Sequence, residues 1–224
     1  PFPAQSGLWG KPTNVNNVET LANIPAILER GGDWYANMGM ERSKGTKVFS
    51  LSGSIARTGV VEIPLGMSLQ RLVEEIGGGI PNGHKLKALL PGGAMLGIVP
   101  ANLINQPLDF EGLAGIGSGV GSGGLVVLDE SACMVDMAYS LMSFAQNESC
   151  GKCAMGRLGT KQMLDILEDI TTGRGKPEYL ELLIELGESM TLGSLCPLCG
   201  GASGPVISTI NHFRDEYEAH IKEH

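Results

Sequence analysis

Cys150-Gly-Lys-Cys153 and Cys196-Pro-Leu-Cys199 are two pairs of the same spacing in a chain with five cysteines. Two residues between thiols make a loop short enough for both sulfurs to face one soft metal centre. Two such loops supply four thiolates. That is a complete shell for structural zinc, for a single iron, or for an iron–sulfur cluster. The spacing therefore points to a thiolate-bound metal and leaves its identity open. Four reduced thiols without metal are the plain alternative, weakened by the repetition of the pair. Cys133 lies on an apolar helical stripe and reads as a packed thiol rather than a ligand. His84, His212, His220 and His224 show no ligand spacing with one another and read as surface or terminal residues.

The elements that must hold the pairs are legible in the apolar periodicity. After Glu130 the pattern is helical. Met134, Met137, Leu141 and Phe144 form one stripe, and Met163, Ile166, Leu167 and Ile170 a second, with Gly173 as its stop. Tyr179, Leu183, Leu186 and Met190 form a third. Ile207, Ile210, Phe213, Tyr217 and Ile221 form a last long one, opened by Pro205. Residues 131–224 thus read as a four-helix unit with both cysteine pairs in its connections. Cys150 and Cys153 precede the second helix, where free N–H groups and the positive dipole end favour thiolate, and Lys152 and Arg157 add positive charge. Gly200 ends the second knuckle and frees the backbone to donate N–H groups to sulfur.

Upstream, residues 46–130 carry a strand pattern. Lys47–Ser52, Val60–Ile63, Leu86–Leu90, Leu103–Leu108 and Leu125–Leu128 are short runs bounded by Gly, Pro or Asn. A helix from about Ser68 to Ile76 interrupts them, and Gly77 ends it. Strands with one helix across them predict a small α+β sheet domain. Residues 1–20 read as an irregular entry segment, followed by a helix over Val18–Arg30 that Gly31-Gly32 stops. Gly119-Val-Gly-Ser-Gly-Gly124 matches G-x-G-x-x-G formally. A strand follows it where a dinucleotide site needs a helix, so it reads as a mobile loop near the cysteines.

The whole chain sets outer bounds. It has 224 residues, 42% hydrophobic, which is a globular composition. A net charge of −8 argues against non-specific nucleic-acid binding. No apolar run reaches the roughly 18 to 20 residues of a membrane span. An odd number of cysteines, clustered in pairs, suits metal ligation in a reducing, cytoplasmic setting better than disulfides. The 33 glycines are about twice ordinary usage. The first residue is Pro1, with no secretory signal after it, so the chain reads as a piece of something longer.

Three segments stand in a telling order. They are Gly10-Lys-Pro-Thr-Asn-Val-Asn-Asn-Val-Glu-Thr-Leu21, Glu148-Ser-Cys-Gly-Lys-Cys153 and Phe213-Arg-Asp-Glu-Tyr-Glu-Ala-His-Ile221. Together they resemble the carboxy-terminal half of the flavin-carrying, NADH-oxidising subunit of respiratory complex I and of related NAD-linked hydrogenases and formate dehydrogenases. The resemblance implies that residues 1–45 belong with an absent flavin domain. Residues 46–130 would be a ubiquitin-like β-grasp domain of soluble-ligand-binding type, and 131–224 a helical iron–sulfur domain. It further implies FMN and NADH on the missing amino-terminal part, with Asn16, Asn17 and Thr20 reaching back to the flavin. Read alone, those three are ordinary helix-start residues.

The metal ligands would be Cys150, Cys153, Cys196 and Cys199, with Ser149, Gly151 and Lys152 lining a cluster of 4Fe-4S type; 2Fe-2S and zinc stay open. Partners would be a thioredoxin-like 2Fe-2S subunit and a larger iron–sulfur subunit, with the complex set against the inner face of a membrane through such partners. The function implied is electron transfer from NADH through FMN and cluster. A zinc-stapled docking module is the other reading. One departure stands out. The resembled subunits use C-x-x-C-x-x-C plus one distant cysteine, whereas this chain has Gly156 at the third position and an extra thiol, Cys199. The loss and the gain suggest that Cys199 replaces the missing ligand.

Overall fold

The computed structural model describes residues 2–222. Helix α1 spans Val18–Arg30 and is followed directly by the short α2, Gly32–Ala36. The sheet then begins with strands β1 (Thr46–Gly53) and β2 (Gly59–Pro64), paired antiparallel. Along β1 the buried side chains are Phe49 and Leu51, while Val48, Ser50 and Ser52 face out. That is the two-residue alternation of a half-buried strand.

Helix α3, Leu69–Arg71, starts from Ser68, whose Oγ accepts the N–H of Arg71 at 3.2 Å. It continues as a π turn over Leu72–Ile76. Strands β3 (Leu86–Pro91), β4 (Val99–Pro100) and β5 (Gly124–Asp129) complete the sheet in the order β2-β1-β5-β3-β4. The first and last strands lie side by side and parallel, with Leu51 opposite Leu125. This is the arrangement of a β-grasp sheet. The apolar run 103–108, expected as a strand, is not one. A 3₁₀ turn over Ala101–Leu103 leads into a loop, and β4 lies just before it. Pro107 lies within that run, where it cannot donate to a ladder, and only an isolated bridge joins it to Ser68.

Phe49, Leu51, Ile63, Leu89, Leu125 and Val127 pack on one face of the sheet with Leu69, Leu72 and Val73 of α3 and its π turn. The other face is covered too. Ala88, Leu90 and Leu128 join Met134 and, more peripherally, Met137, Leu141 and Phe213. Two covered faces explain why Ala88-Leu-Leu-Pro91 is buried without alternation. The loop before β5, between the short helix α4 (Phe110–Ala114) and Gly124, is packed rather than mobile. Val120 is buried, Ser118 Oγ donates to Gly97 O at 2.6 Å, and Gly121 rests on the backbone of Gly92. Close backbone approach, not motion, accounts for its glycines.

The helical part comprises α5 (Met134–Glu148), α6 (Thr160–Thr171), α7 (Tyr179–Gly193), a short α8 (Pro197–Gly201) and α9 (Gly204–Lys222). α9 is kinked at Phe213. Val135, Ala138, Met142, Met163, Leu167, Leu183, Val206, Ile210 and Tyr217 form its core, so the expected stripes of α6, α7 and α9 largely lie in it. By contrast, α5 buries Val135, Ala138, Met142 and Ala145 there, turns Met137 and Leu141 towards the sheet and leaves Phe144 exposed. Among the described residues no helix is long and apolar enough to cross a membrane.

Cys133 packs against the helical core as expected, and one histidine expectation changes. Cys133 caps the start of α5, half-buried, and its Sγ lies 3.3 Å from Nε2 of His220, which is itself half-buried rather than a surface group. The kinked α9 returns its last turn to the start of α5, which local periodicity does not reveal. His84 pairs with Glu130 at 3.7 Å, and His224 lies outside the described residues.

Candidate metal centre

The first cysteine pair occupies the turn between α5 and α6, and the second surrounds the start of α8. They meet because α7 carries the chain back to the start of α6. Small residues permit the approach. A side-chain carbon on Gly159 would lie 3.0 Å from Met190 Cγ, and one on Gly193 would lie 3.1 Å from Met155 Cγ. Residues Met155–Gly159 form a π turn that opens α6. The second pair lies in the connection between α7 and α9, as expected, and that connection holds a short helix. Cys196 is the residue before α8, Pro197 its first residue, and Cys199 lies within it.

The backbone donates to the sulfurs. The N–H of Leu195, then that of Gly156 at 3.3 Å, hold the Cys153 thiol below its ordinary range, with the thiol of Cys199 as a further partner. The N–H of Cys199 does the same for Cys196, again with help from the Cys199 thiol. Burial pushes Cys199, which is 1% exposed, up to about 11, and neighbouring Cys196 adds to the rise. Low-pKa outer thiols around one buried sulfur suit a shared anionic centre, because N–H donors directed at sulfur compensate negative charge.

Cys153, Cys196 and Cys199 are therefore brought together. Cys150 is exposed, and none of these contacts involves it. Among the described residues no three or more His, Cys, Asp or Glu side chains are gathered tightly enough to hold a single metal ion. A multi-iron cluster is larger than one ion and takes its thiolates at separate corners.

The residues expected to line a centre stand at unequal distances from the sulfurs. Ser149 Oγ donates to Gly156 O at 2.5 Å, accepts from the N–H of Gly151 at 3.3 Å and lies 3.8 Å from Cys199 Sγ. Gly151 adopts φ +69°, a left-handed backbone that suits glycine, and its carbonyl accepts from Arg157 Nη1 at 2.5 Å. Lys152 is exposed. In the sequence Arg157 reads only as nearby charge, whereas in the fold it clamps the cysteine loop. Thr160, whose Oγ1 donates to Gly156 O at 2.9 Å, is a contact that sequence reasoning misses, since its signal is only a threonine four residues on.

Asn16, Asn17 and Thr20 lie elsewhere, at the start of α1, with both asparagines exposed. Asn17 stands at the N-cap but makes no side-chain capping bond, so the ordinary cap role is not used. Asn17 and Thr20 line a cleft of about 410 Å³ with Glu19, Asn23, Lys44 and Lys47, between α1 and the sheet. Glu19 ties α1 to β1, accepting from Val48 N at 2.7 Å and from Lys47 Nζ at 2.5 Å. Gly117 of the packed glycine loop lines a smaller cleft with Met95, Gly97, Thr191 and Gly200, the residue after Cys199.

Comparison with known proteins gives this geometry a context. Residues 136–220 match the family described as the NADH-ubiquinone oxidoreductase-F iron-sulfur binding region, and residues 48–99 match the SLBB domain. Over 223 residues the chain is 46% identical to the NADP-reducing hydrogenase subunit HndC of Solidesulfovibrio fructosivorans, covering all of this chain and 46% of that protein. It is 43% identical over 222 residues to the NADH-quinone oxidoreductase F subunit of Mycobacterium bovis, covering 99% of this chain and 50% of that one. Its fold superposes on a chain of an NAD+-reducing NiFe-hydrogenase in the H2-reduced state with a TM-score of 0.87 at 32% identity. That match covers all of this chain and 37% of the other. The chain thus spans about half the length, or less, of the proteins it matches.

Proposed function

Because this chain belongs to the family of NADH-quinone oxidoreductase F subunits and matches their carboxy-terminal part, we propose that it relays electrons through an iron–sulfur cluster held by Cys150, Cys153, Cys196 and Cys199. The observation that carries the reading is the meeting of the two C-x-x-C turns inside the segment that matches an iron–sulfur binding region. That match favours a cluster, of 4Fe-4S type, over the zinc staple that the spacing left open. When bound, such a cluster supplies a one-electron carrier.

The chain's own residues would set its surroundings. Leu195, Gly156, Leu198 and Cys199 donate backbone N–H groups to sulfur, which stabilises the more negative form. Arg157 and Ser149 fix the loop that presents Cys150 and Cys153. Cys199 closes the inner side, while Cys150 and Cys196 are exposed on the outer side. A centre sheltered on one side and open on the other suits exchange with a docked redox partner.

In the complete assembly NADH and FMN would belong to an amino-terminal flavin domain, with Asn16, Asn17 and Thr20 contributing flavin contacts from the start of α1. Residues 1–45 would go with that domain, 46–130 would be the β-grasp domain and 131–224 the cluster domain. The acceptors would be a thioredoxin-like 2Fe-2S subunit and a larger iron–sulfur subunit, on the cytoplasmic side. By itself the chain would not be catalytically complete.

Anaerobic reconstitution of the chain with iron and sulfide tests the reading. The expected result is stoichiometric iron and sulfide, broad visible absorbance and a paramagnetic signal on reduction. Colourless protein carrying stoichiometric zinc, or no metal at all, would overturn it.

A further inference from the structure

Gly156 and Cys199 belong to different elements, the π turn that opens α6 and the short helix α8, and they face each other across the cysteine site. A side-chain carbon on Gly156 would lie 2.5 Å from Cys199 Sγ, 2.9 Å from Ser149 Oγ and 3.3 Å from Cys153 Sγ. The first of these is far inside van der Waals contact for carbon and sulfur. The backbone of Gly156 is not left-handed, so its conformation does not call for glycine. What excludes a side chain there is volume, and the Cys199 sulfur holds that volume. The same direction also leads towards Cys153, so a side chain at position 156 would reach the centre that Cys199 now reaches from α8.

We propose that Gly156 and Cys199 are a reciprocal pair in which a single space takes a single ligand. Cys199 delivers the fourth thiolate from α8, and position 156 lacks a side chain because that sulfur stands where its own would be. This rests on the iron–sulfur reading above and adds which element delivers the inner ligand. It also means that the two positions cannot vary independently. A bulkier residue at 156 displaces the sulfur of 199, while a thiol returned to 156 can serve only once 199 has been trimmed. Ser149, whose hydroxyl lies beside both positions, is the side chain that must rotate to admit the change.

Four proteins test this: the unmodified chain, Cys199→Ala, Gly156→Ala, and the double variant Gly156→Cys with Cys199→Ala. Iron and sulfide per chain and the reduced-state paramagnetic signal are read after reconstitution, and the thermal midpoint is read on metal-free protein. Cys199→Ala should lose the bound iron. Gly156→Ala removes no thiol, yet should also lose iron and lower the metal-free midpoint by at least about 2–4 °C. The double variant should recover both iron and midpoint relative to Gly156→Ala, a rescue that a general folding defect does not produce. Unchanged iron and an unchanged signal in Cys199→Ala, with iron present in the unmodified chain, would overturn the pair and the place of Cys199 among the ligands, and would leave the cluster reading standing. An unchanged midpoint and full iron in Gly156→Ala would overturn the pair alone. No iron in the unmodified chain would overturn the cluster reading and the ligand role together.

Discussion

At the residue scale, what a thiol or hydroxyl can do is set by its neighbours rather than its type. Cys133 and Cys199 are both shielded thiols, but Cys133 meets the ring of His220 while Cys199 meets two other cysteines. Replacing Cys133 with Ser should therefore leave the iron content of reconstituted protein unchanged and alter only packing, whereas loss of iron in that variant would bring Cys133 into the site. Tyr217 is a second case. Its phenol is fully buried and 2.8 Å from Thr209 Oγ1, which also contacts the carbonyls of Pro205 and Val206. Tyr217→Phe should cost about 1 kcal/mol, since one hydrogen bond is lost and Thr209 keeps other partners. For a chain of this size that is a fall of roughly 2–4 °C in thermal midpoint. Burial pushes the phenol well above its ordinary range. The folded state therefore holds its proton more tightly than the unfolded state does. The associated stability is complete below the unfolded value of about 10 and declines as pH rises beyond it. Thermal midpoints from neutral to strongly alkaline pH should accordingly fall less steeply in Tyr217→Phe than in the unmodified chain.

At the element scale, close helix contacts bring the cysteine turns together. α7 crosses α9 at Gly187, where a side-chain carbon would lie 2.6 Å from Ile207 Cδ1 and 3.0 Å from Ser203 Cβ. Ile207 can swing its terminal methyl away, but Ser203 Cβ moves only with the backbone. Glycine inside a helix is ordinarily worth replacing, by about 0.8–1 kcal/mol in favour of alanine. Here the contact should reverse that sign. Gly187→Val should destabilise by about 1–3 kcal/mol in denaturant unfolding, through overpacking. An equal or higher midpoint would show that the crossing has room to spare. Because α7 leads into α8, the same variant should also weaken metal retention, which iron analysis after gel filtration would detect.

At the scale of the whole molecule, the sheet and the helices share a polar junction beside an apolar seam. Glu216 on α9 pairs with Lys87 of β3 at 2.7 Å and accepts the N–H of Met134 at 2.9 Å, with both charged side chains largely shielded. Lys87 also donates to the carbonyl of Ala132. Glu216→Ala leaves the first N–H of α5 and the Lys87 ammonium short of a partner, so a loss of about 1–2 kcal/mol is expected. Hydrogen exchange should then show faster opening at both β3 and the start of α5. Protection lost on one side only would mean that the two parts do not lean on each other there.

Much of this was legible along the chain because it is local. The helix over Val18–Arg30, the stop at Gly31, strands β1, β2, β3 and β5, the existence of α5, and the stripes of α6, α7 and α9 follow from period and punctuation, which act between near neighbours. The cysteine spacing likewise marked two tight loops, because two intervening residues constrain a loop wherever it stands. Other features depend on what comes to lie opposite. The apolar run 103–108 is no strand because its backbone meets the turn and helix start at residues 66–70, through scattered hydrogen bonds and a single bridge, rather than a strand of the sheet. The glycine loop is packed because Gly92 and Gly97 meet it. Cys133 and His220 touch only because α9 bends back. That Gly156 and Cys199 contend for one space is likewise a fact of packing. Spacing shows glycine at position 156 and a thiol at position 199, but only the approach of α8 to the start of α6 places that sulfur where a side chain at 156 would stand.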